Sequence, residues 1–348
     1  MTGNTILLAQ FETTNKLPPV RSTIRDVARL AGVSHQTVSR VINNRDEVTP
    51  ETRERVKAAI MELGYRPNAI ARSMARGQTH TLACISPNLT DYTFASIIEG
   101  AEVEARQHGF FLLSSSAENV ESFQSLVDEL VSHRRVDGLM VINPYMDRRF
   151  ESVPANFPMV YVGAVAREER ISSVCLDDEN IAYEATKHLL DLGHQSIAMV
   201  TGPMEEDCSR DRDVGYRRAL EEAGLKYDPN LVVEGDWSAS SGQTGFVHFF
   251  EQGLRPTAIF AQNDRMALGI LRAARDLGLE VPQQLAVIGV DDMPLSSYFD
   301  PPLTTMRQDM AQIGRDAARL LIQSIREPQS SKQIRLPGEL IVRSSTVY

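Results

Sequence analysis

The spacing of apolar residues changes near Thr79. Before that point it is helical, in three short segments. Ile24, Val27, Ala28 and Leu30 form the stripe of a first helix, and Thr23 with Asp26 three positions on makes a capping-box-like start. Gly32 supplies a turn residue that tolerates a left-handed backbone. Ser34 caps a second helix whose Val38, Val41 and Ile42 face inward. His35, Gln36 and Arg40 then point outward, with Thr37 and Ser39 at the edges. A third helix opens with Thr49 as cap and Pro50 in its first turn, packs Val56, Ile60 and Leu63, and stops at Gly64. Pro67 ends one element and Asn68 can cap another, but Ala69 to Arg76 is too short for a helix that is stable alone.

After Thr79 short apolar runs alternate with amphipathic stretches. The runs include "TLACISP", "FFLLSSS", "DGLMVINP", "MVYVGAV", "SIAMVTG", "TAIFAQ" and "LAVIGVDD". Helical stretches cover Phe94 to His108, Ser122 to His133, Ala182 to Leu192 and Arg265 to Leu277. Such alternation predicts an α/β body of parallel sheets with helices on both faces, with enough units for two modest sheets. Glycines 109, 193, 224, 253 and 278 stand where helices should end.

At 348 residues, 42% hydrophobic and 24% charged, the chain is an ordinary globular protein of two or three domains. Its three cysteines, Cys84, Cys175 and Cys208, have no metal-ligand spacing and read as reduced cytoplasmic thiols. The apolar "ILLA" near the N-terminus is too short for export or membrane insertion, and residues 1–21 read as a flexible arm. The net charge of −10 is unevenly distributed. Between Arg21 and Gln78 eleven Lys and Arg outnumber six Asp and Glu, so a basic module sits on a strongly acidic remainder. That is the footprint of a DNA-binding head on a body with another task.

Helix, tight glycine turn and a second helix with exposed polar groups near its start make a helix-turn-helix, which sets its second helix in the major groove. The side chains suit that place. Gln36 can bond adenine bidentately, Arg40 guanine, and the Thr37 methyl can touch thymine. Ser34, Thr52 and backbone amides at helix starts can hold phosphates and set the register, and Thr23, Ser39 and Asn43 complete the candidate DNA-binding residues of the head.

"TIRDVARLAGVSHQTVSRVIN" and "VTPETRERVKAAIMELGYRPNAIARSMA" together resemble the headpiece of the lactose-repressor (LacI/GalR) family of bacterial transcription regulators. The resemblance implies that His35 and Gln36 set operator preference and that Arg40 reads bases further along the helix. It also implies a hinge helix, with Asn68 and Ala71 within it, that folds only when two subunits meet over the minor groove. Leucine is the family's usual wedge between base pairs there; this chain has Met74, and methionine is among the side chains used that way.

The likeness continues to "ELIVRSSTVY" and implies two periplasmic-binding-protein-like (type I) lobes with an effector cleft between them. It divides the chain into the arm 1–21, the head 22–66, the hinge 67–78 and an effector-binding and dimerisation body 79–348. Lobe 1 would span about 79–176 and 309–327, and lobe 2 about 177–308 and 328–348. No leucine heptad follows Tyr348, so a homodimer rather than a tetramer is expected.

Ligands in open parallel sheets sit at the carboxyl ends of strands. By resemblance the cleft positions are Thr93, Phe94, Arg212, Trp237, Asn263 and Asp291. Each also has a plain structural use: Trp237 in core packing, Arg212 in an ion pair, Asp291 in a turn. Together an aromatic face, a guanidinium fork, an amide and a carboxylate suit a polyhydroxylated ligand, because hydroxyls both donate and accept. Where purine-binding members carry Arg and Thr, this chain has Glu206 and Cys208, which favours a sugar or sugar derivative. Gly163, however, stands where some sugar binders carry aspartate.

Three functions compete on these grounds. The first is a repressor that binds a near-palindromic double-stranded DNA operator under control of an effector. The second, a transport receptor, has no use for the head. The third, an enzyme, lacks a Ser-His-Asp order, metal spacing, phosphate loop or cofactor fingerprint. The expectation is a cytoplasmic regulator with no cofactor and no membrane contact.

Overall fold

The computed structural model describes residues 22–43, 45, 47–66, 78–145, 147–166, 168, 171–327 and 331–347. The proposed arm and the hinge residues Asn68, Ala71 and Met74 lie outside the described residues. The chain divides into two compact units between Gly77 and Gln78.

The first unit contains α1 (Ile24–Ala31), α2 (His35–Ile42) and α3 (Pro50–Glu62). Thr23 caps α1 in a complete capping box with Asp26, and Gly32 ends it at φ 66°, a backbone shape only glycine takes without strain. Ser34 and Thr49 cap the next two helices through the amides of Thr37 and Thr52. Val27, Ala28, Ala31, Val38, Val41, Val56 and Ala59 close the core, with Ile60 and Leu63 packed against it. Leu30, expected in the stripe, is 45% exposed. Ala31, one turn after Val27 and Ala28, fills that place, as a period of 3.6 residues dictates.

The second unit carries two six-stranded sheets. The strands of the first are β1 (Thr81–Ser86), β2 (Phe111–Ser116), β3 (Gly138–Ile142), β4 (Met159–Val162) and β5 (Ser172–Leu176). The second holds β6 (Ile197–Thr201), β7 (Val232–Glu234), β8 (Ala258–Ala261), β9 (Ala286–Asp291) and β10 (Thr304–Arg307). Their orders match: β2-β1-β3-β4-β5 and β7-β6-β8-β9-β10. Each sheet gains one late strand, β11 (Gln333–Leu336) parallel to β5 and β12 (Glu339–Ile341) antiparallel to β10. The helices between strands are α4 (Tyr92–Gln107), α5 (Val120–Val127), α6 (Asp178–Asp191), α7 (Asp207–Glu222), α8 (Ala239–Glu251), α9 (Asp264–Asp276) and α10 (Met310–Arg326).

The chain passes to the second sheet after Leu176, and α10 returns to pack on α4 and the first sheet. The last crossing departs from the expected boundary near Pro328. β11 still belongs to the first sheet, so the chain crosses finally between Leu336 and Glu339. The reason is physical: β5 would otherwise be an open edge, and Gln333–Leu336 satisfies its backbone groups. One buried cluster, including Met140, Val174, Ile181, Met199 and Ile288, draws on both sheets and makes the connection between them dry.

Candidate functional site: a cleft at the strand ends

In sheets of this order the chain turns opposite ways on either side of one strand pair, which leaves a crevice beyond the carboxyl ends. Here those pairs are β1/β3 and β6/β8, and the two crevices face each other. Between them lies a cavity of about 200 Å³. The six expected cleft residues, Thr93, Phe94, Arg212, Trp237, Asn263 and Asp291, all line it.

The second sheet holds the polar groups. Arg212, on α7 and 5% exposed, grips Asp178 through two nitrogens at 2.8 and 2.7 Å and also bonds the Gln262 carbonyl. Its guanidinium lies 5.8 Å from the centre of the Trp237 ring. The indole covers Gly202, where a side chain is excluded because a Cβ would lie 2.0 Å from the ring. Its N–H donates to Glu206. Asn263 caps α9 through the Met266 amide at 2.8 Å, and its NH₂ donates to the Trp237 carbonyl at 3.0 Å. The amide therefore orients the tryptophan as well as facing the cavity.

Two of these residues are held off the usual backbone map, Trp237 at φ 67° and Asp291 at φ 122°. Left-handed backbone at non-glycine residues is costly and gathers where geometry serves a site. Asp291 ends β9, and its carboxylate has no hydrogen bond or ion pair among the described residues. Burial, with the Asp264 carboxylate beside it, pushes its pKa well above the carboxylate range, against the pull of Arg212. Burial likewise raises Glu206, opposed by the Trp237 hydrogen bond and Arg212. Asp264 itself is pushed up to about 6 by burial while it accepts from Ser296, Thr305 and the Met293 amide.

Among the described residues the contacts that join the two sides include Arg265 with Asp91 at 2.6 Å and the Asp207 amide donating to the Pro144 carbonyl at 2.9 Å, a bond that belongs to the isolated β-bridge between Tyr145 and Glu206.

Sequence reasoning missed several members, Asp91, Arg265, Asp178 and Gln308 among them. Asp178 is the buried partner of Arg212, 34 positions away in the chain. Gln308 lies where the chain returns to the first sheet; it is 6% exposed, and neither end of its amide has a partner. Among the described residues no group of three or more His, Cys, Asp or Glu is placed to hold a metal.

In the head, His35, Gln36 and Arg40 are exposed on α2, and Thr37 and Ser39 are partly covered. Arg40 pairs with Glu47 at 3.2 Å, both largely exposed. Asn43, expected among DNA-contacting groups, ends α2 and turns its amide back onto the Ser39 carbonyl at 2.8 Å. Thr23 and Ser34 hold helix caps, and the Thr52 hydroxyl bonds that of Thr49 at 3.0 Å.

Residues 23–68 match the family described as bacterial regulatory proteins, lacI family, and residues 186–346 match a periplasmic binding protein-like domain. Catabolite control protein A of Priestia megaterium is 37% identical over 329 residues, covering 93% of this chain and 99% of that protein. A Lac repressor dimer bound to operator and the anti-inducer ONPF superposes with a TM-score of 0.87 at 33% identity, covering 94% of this chain and all of that one. The transcriptional regulator CelR in complex with cellobiose superposes with a TM-score of 0.73 at 34% identity, covering 93% of this chain and all of that one. These relatives are regulators, not enzymes. The chain belongs to the LacI family of bacterial transcriptional regulators.

Proposed function

We propose that this protein is a cytoplasmic homodimeric repressor whose hold on a near-palindromic operator is set by a sugar or sugar derivative in the cleft. The carrying observation is the cavity itself. The Trp237 face, the unpartnered Asp291 carboxylate and the unpartnered Gln308 amide meet there, at the ends of strands that a ligand would bridge. Buried polar groups left without partners are costly, so a ligand that supplies hydroxyls has a defined place. Cellobiose in the related regulator points to the same class. No helix among the described residues is long and apolar enough to cross a membrane.

In the head, Gln36 and Arg40 read base edges from α2, with His35 beside them. Arg40 leaves Glu47 to do so, at little cost because exposed ion pairs contribute about 0–1 kcal/mol. An effector acts by binding two arrangements of the lobes unequally. Residues 67–78 carry that difference to the head, with Met74 as the wedge in the minor groove.

Operator titration by fluorescence anisotropy, with and without a panel of sugars and nucleosides, tests this. At least one sugar should change operator affinity by about 5- to 150-fold, the usual range of such coupling. Gln36→Ala should weaken the preferred operator by about 1–3 kcal/mol and relax base preference at one position per half-site. A response to nucleosides alone overturns the sugar assignment; equal weakening on every sequence removes Gln36 from base reading.

A further inference from the structure

The cavity holds more acidic groups than its own cations balance. Four carboxylates line it, Asp91, Asp178, Glu206 and Asp291, against the guanidiniums of Arg212 and Arg265. Both guanidiniums are already committed, Arg265 to Asp91 at 2.6 Å and Arg212 to Asp178 at 2.7 Å. Glu206 and Asp291 are left over. Glu206 is 9% exposed, and besides the indole N–H of Trp237 it has only a 4.0 Å contact from the Cys208 thiol. The Asp291 carboxylate has neither a hydrogen bond nor an ion pair among the described residues. The groups facing Glu206 are Arg212, Glu205 and Asp91, and those facing Asp291 are Asp264, Arg212, Asp91 and Arg265.

A carboxylate removed from water and not directly paired with a cation is expensive, and the free protein meets that expense by holding protons more tightly on both groups. A ligand that brings a positive charge removes the need. It would make charge-assisted hydrogen bonds, the strong kind. Trp237 adds an aromatic face, which attracts a cation beyond what apolar packing supplies. Gln308 points independently to a ligand with both donors and acceptors, since its buried amide can use one of each and has neither.

We propose that the cleft takes a hydroxylated ring bearing a protonated amine, of the amino-sugar class. Its ammonium is held by Glu206 and Asp291, its ring by Trp237, and its oxygens in part by Gln308. This rests on the cleft being the effector site and narrows the chemistry of what enters it. The competing arrangement is a neutral sugar held by carboxyls that stay protonated and donate.

The test is calorimetry on the full-length protein with matched pairs: glucose and glucosamine, galactose and galactosamine, mannose and mannosamine. In at least one pair the amine should bind at least tenfold more tightly than its neutral partner. Glu206→Gln keeps an acceptor for the indole and removes the charge, and Asp291→Asn does the same at the other end. Each should reduce the preference for the amine about tenfold. The proposal is overturned if the neutral sugar binds as well as the amine in every pair, if no amine binds, or if the preference survives in both variants. The comparison of parent protein across pairs stands even where a variant fails to fold. A neutral sugar that binds and releases operator sinks this proposal and leaves the repressor reading intact. An amine that binds without moving operator affinity does the reverse.

Discussion

The two walls of the cleft are built on sheets of the same strand order, yet they offer a ligand different things. On the first-sheet side the lining is mainly apolar: Phe94 and Ile97 on α4, Ile142 and Val162 at strand ends, and Ile313 on α10. On the second-sheet side it is Asp178, Glu206, Arg212, Trp237 and Asp291. The topology explains why both sides have a crevice, and only the side chains explain why one recognises and the other encloses. A fold places a site; the residues after each strand decide its chemistry. One wall gives shape and dryness, the other direction and charge.

That division can be broken most sharply at Arg212. Arg212→Met keeps the bulk and leaves Asp178 buried without a partner, so urea denaturation should show a loss of about 3–5 kcal/mol. The operator should no longer respond to effector. Stability within about 1 kcal/mol of the parent, with the response intact, would mean that the polar wall is not organised by this pair. Trp237→Ala, next in size, should lower effector affinity about tenfold, equivalent to 1.4 kcal/mol, and effector should change the parent's tryptophan fluorescence. Because Trp237 is the chain's single tryptophan, the parent's signal is unambiguous. Affinity unchanged by the substitution would assign the ring to packing alone. Ile142→Val on the apolar wall should have the smallest effect, about 0.5–1.5 kcal/mol of stability, with the rank order of ligands preserved. A reordered preference would show that the apolar wall also discriminates, and the division would fall.

The head was legible almost residue by residue, because its signals are local: a capping box, a glycine turn and two caps within thirty positions. Leu30 is the exception, an apolar residue one position off the stripe. The body was legible where strands were long apolar runs. The strands β5, β7, β10, β11 and β12 were not picked out. In β10, "TTMR" carries two threonines and an arginine, and its burial comes from neighbours the sequence does not show. Gln308 was missed for the same reason, since it follows that strand. Asp178 was missed because its meaning is a pairing with Arg212 that exists only after α6 and α7 pack. Residues 93, 94, 212, 237, 263 and 291 were found through likeness to a family, and the fold brings them to one cavity. Asn263 turned out to orient Trp237 as well, a relation invisible in the chain.

The contact between Asp91 and Arg265 has a bearing on time. With the Pro144–Asp207 bond it ties the two sides of the cleft together. A ligand that enters only when these contacts part would associate at a rate that levels off at the opening rate as concentration rises. Arg265 is 40% exposed, which keeps this latch weak, about 0–1 kcal/mol. Lobe motions of this kind run in microseconds to milliseconds. An opening on that scale is quick beside transcription.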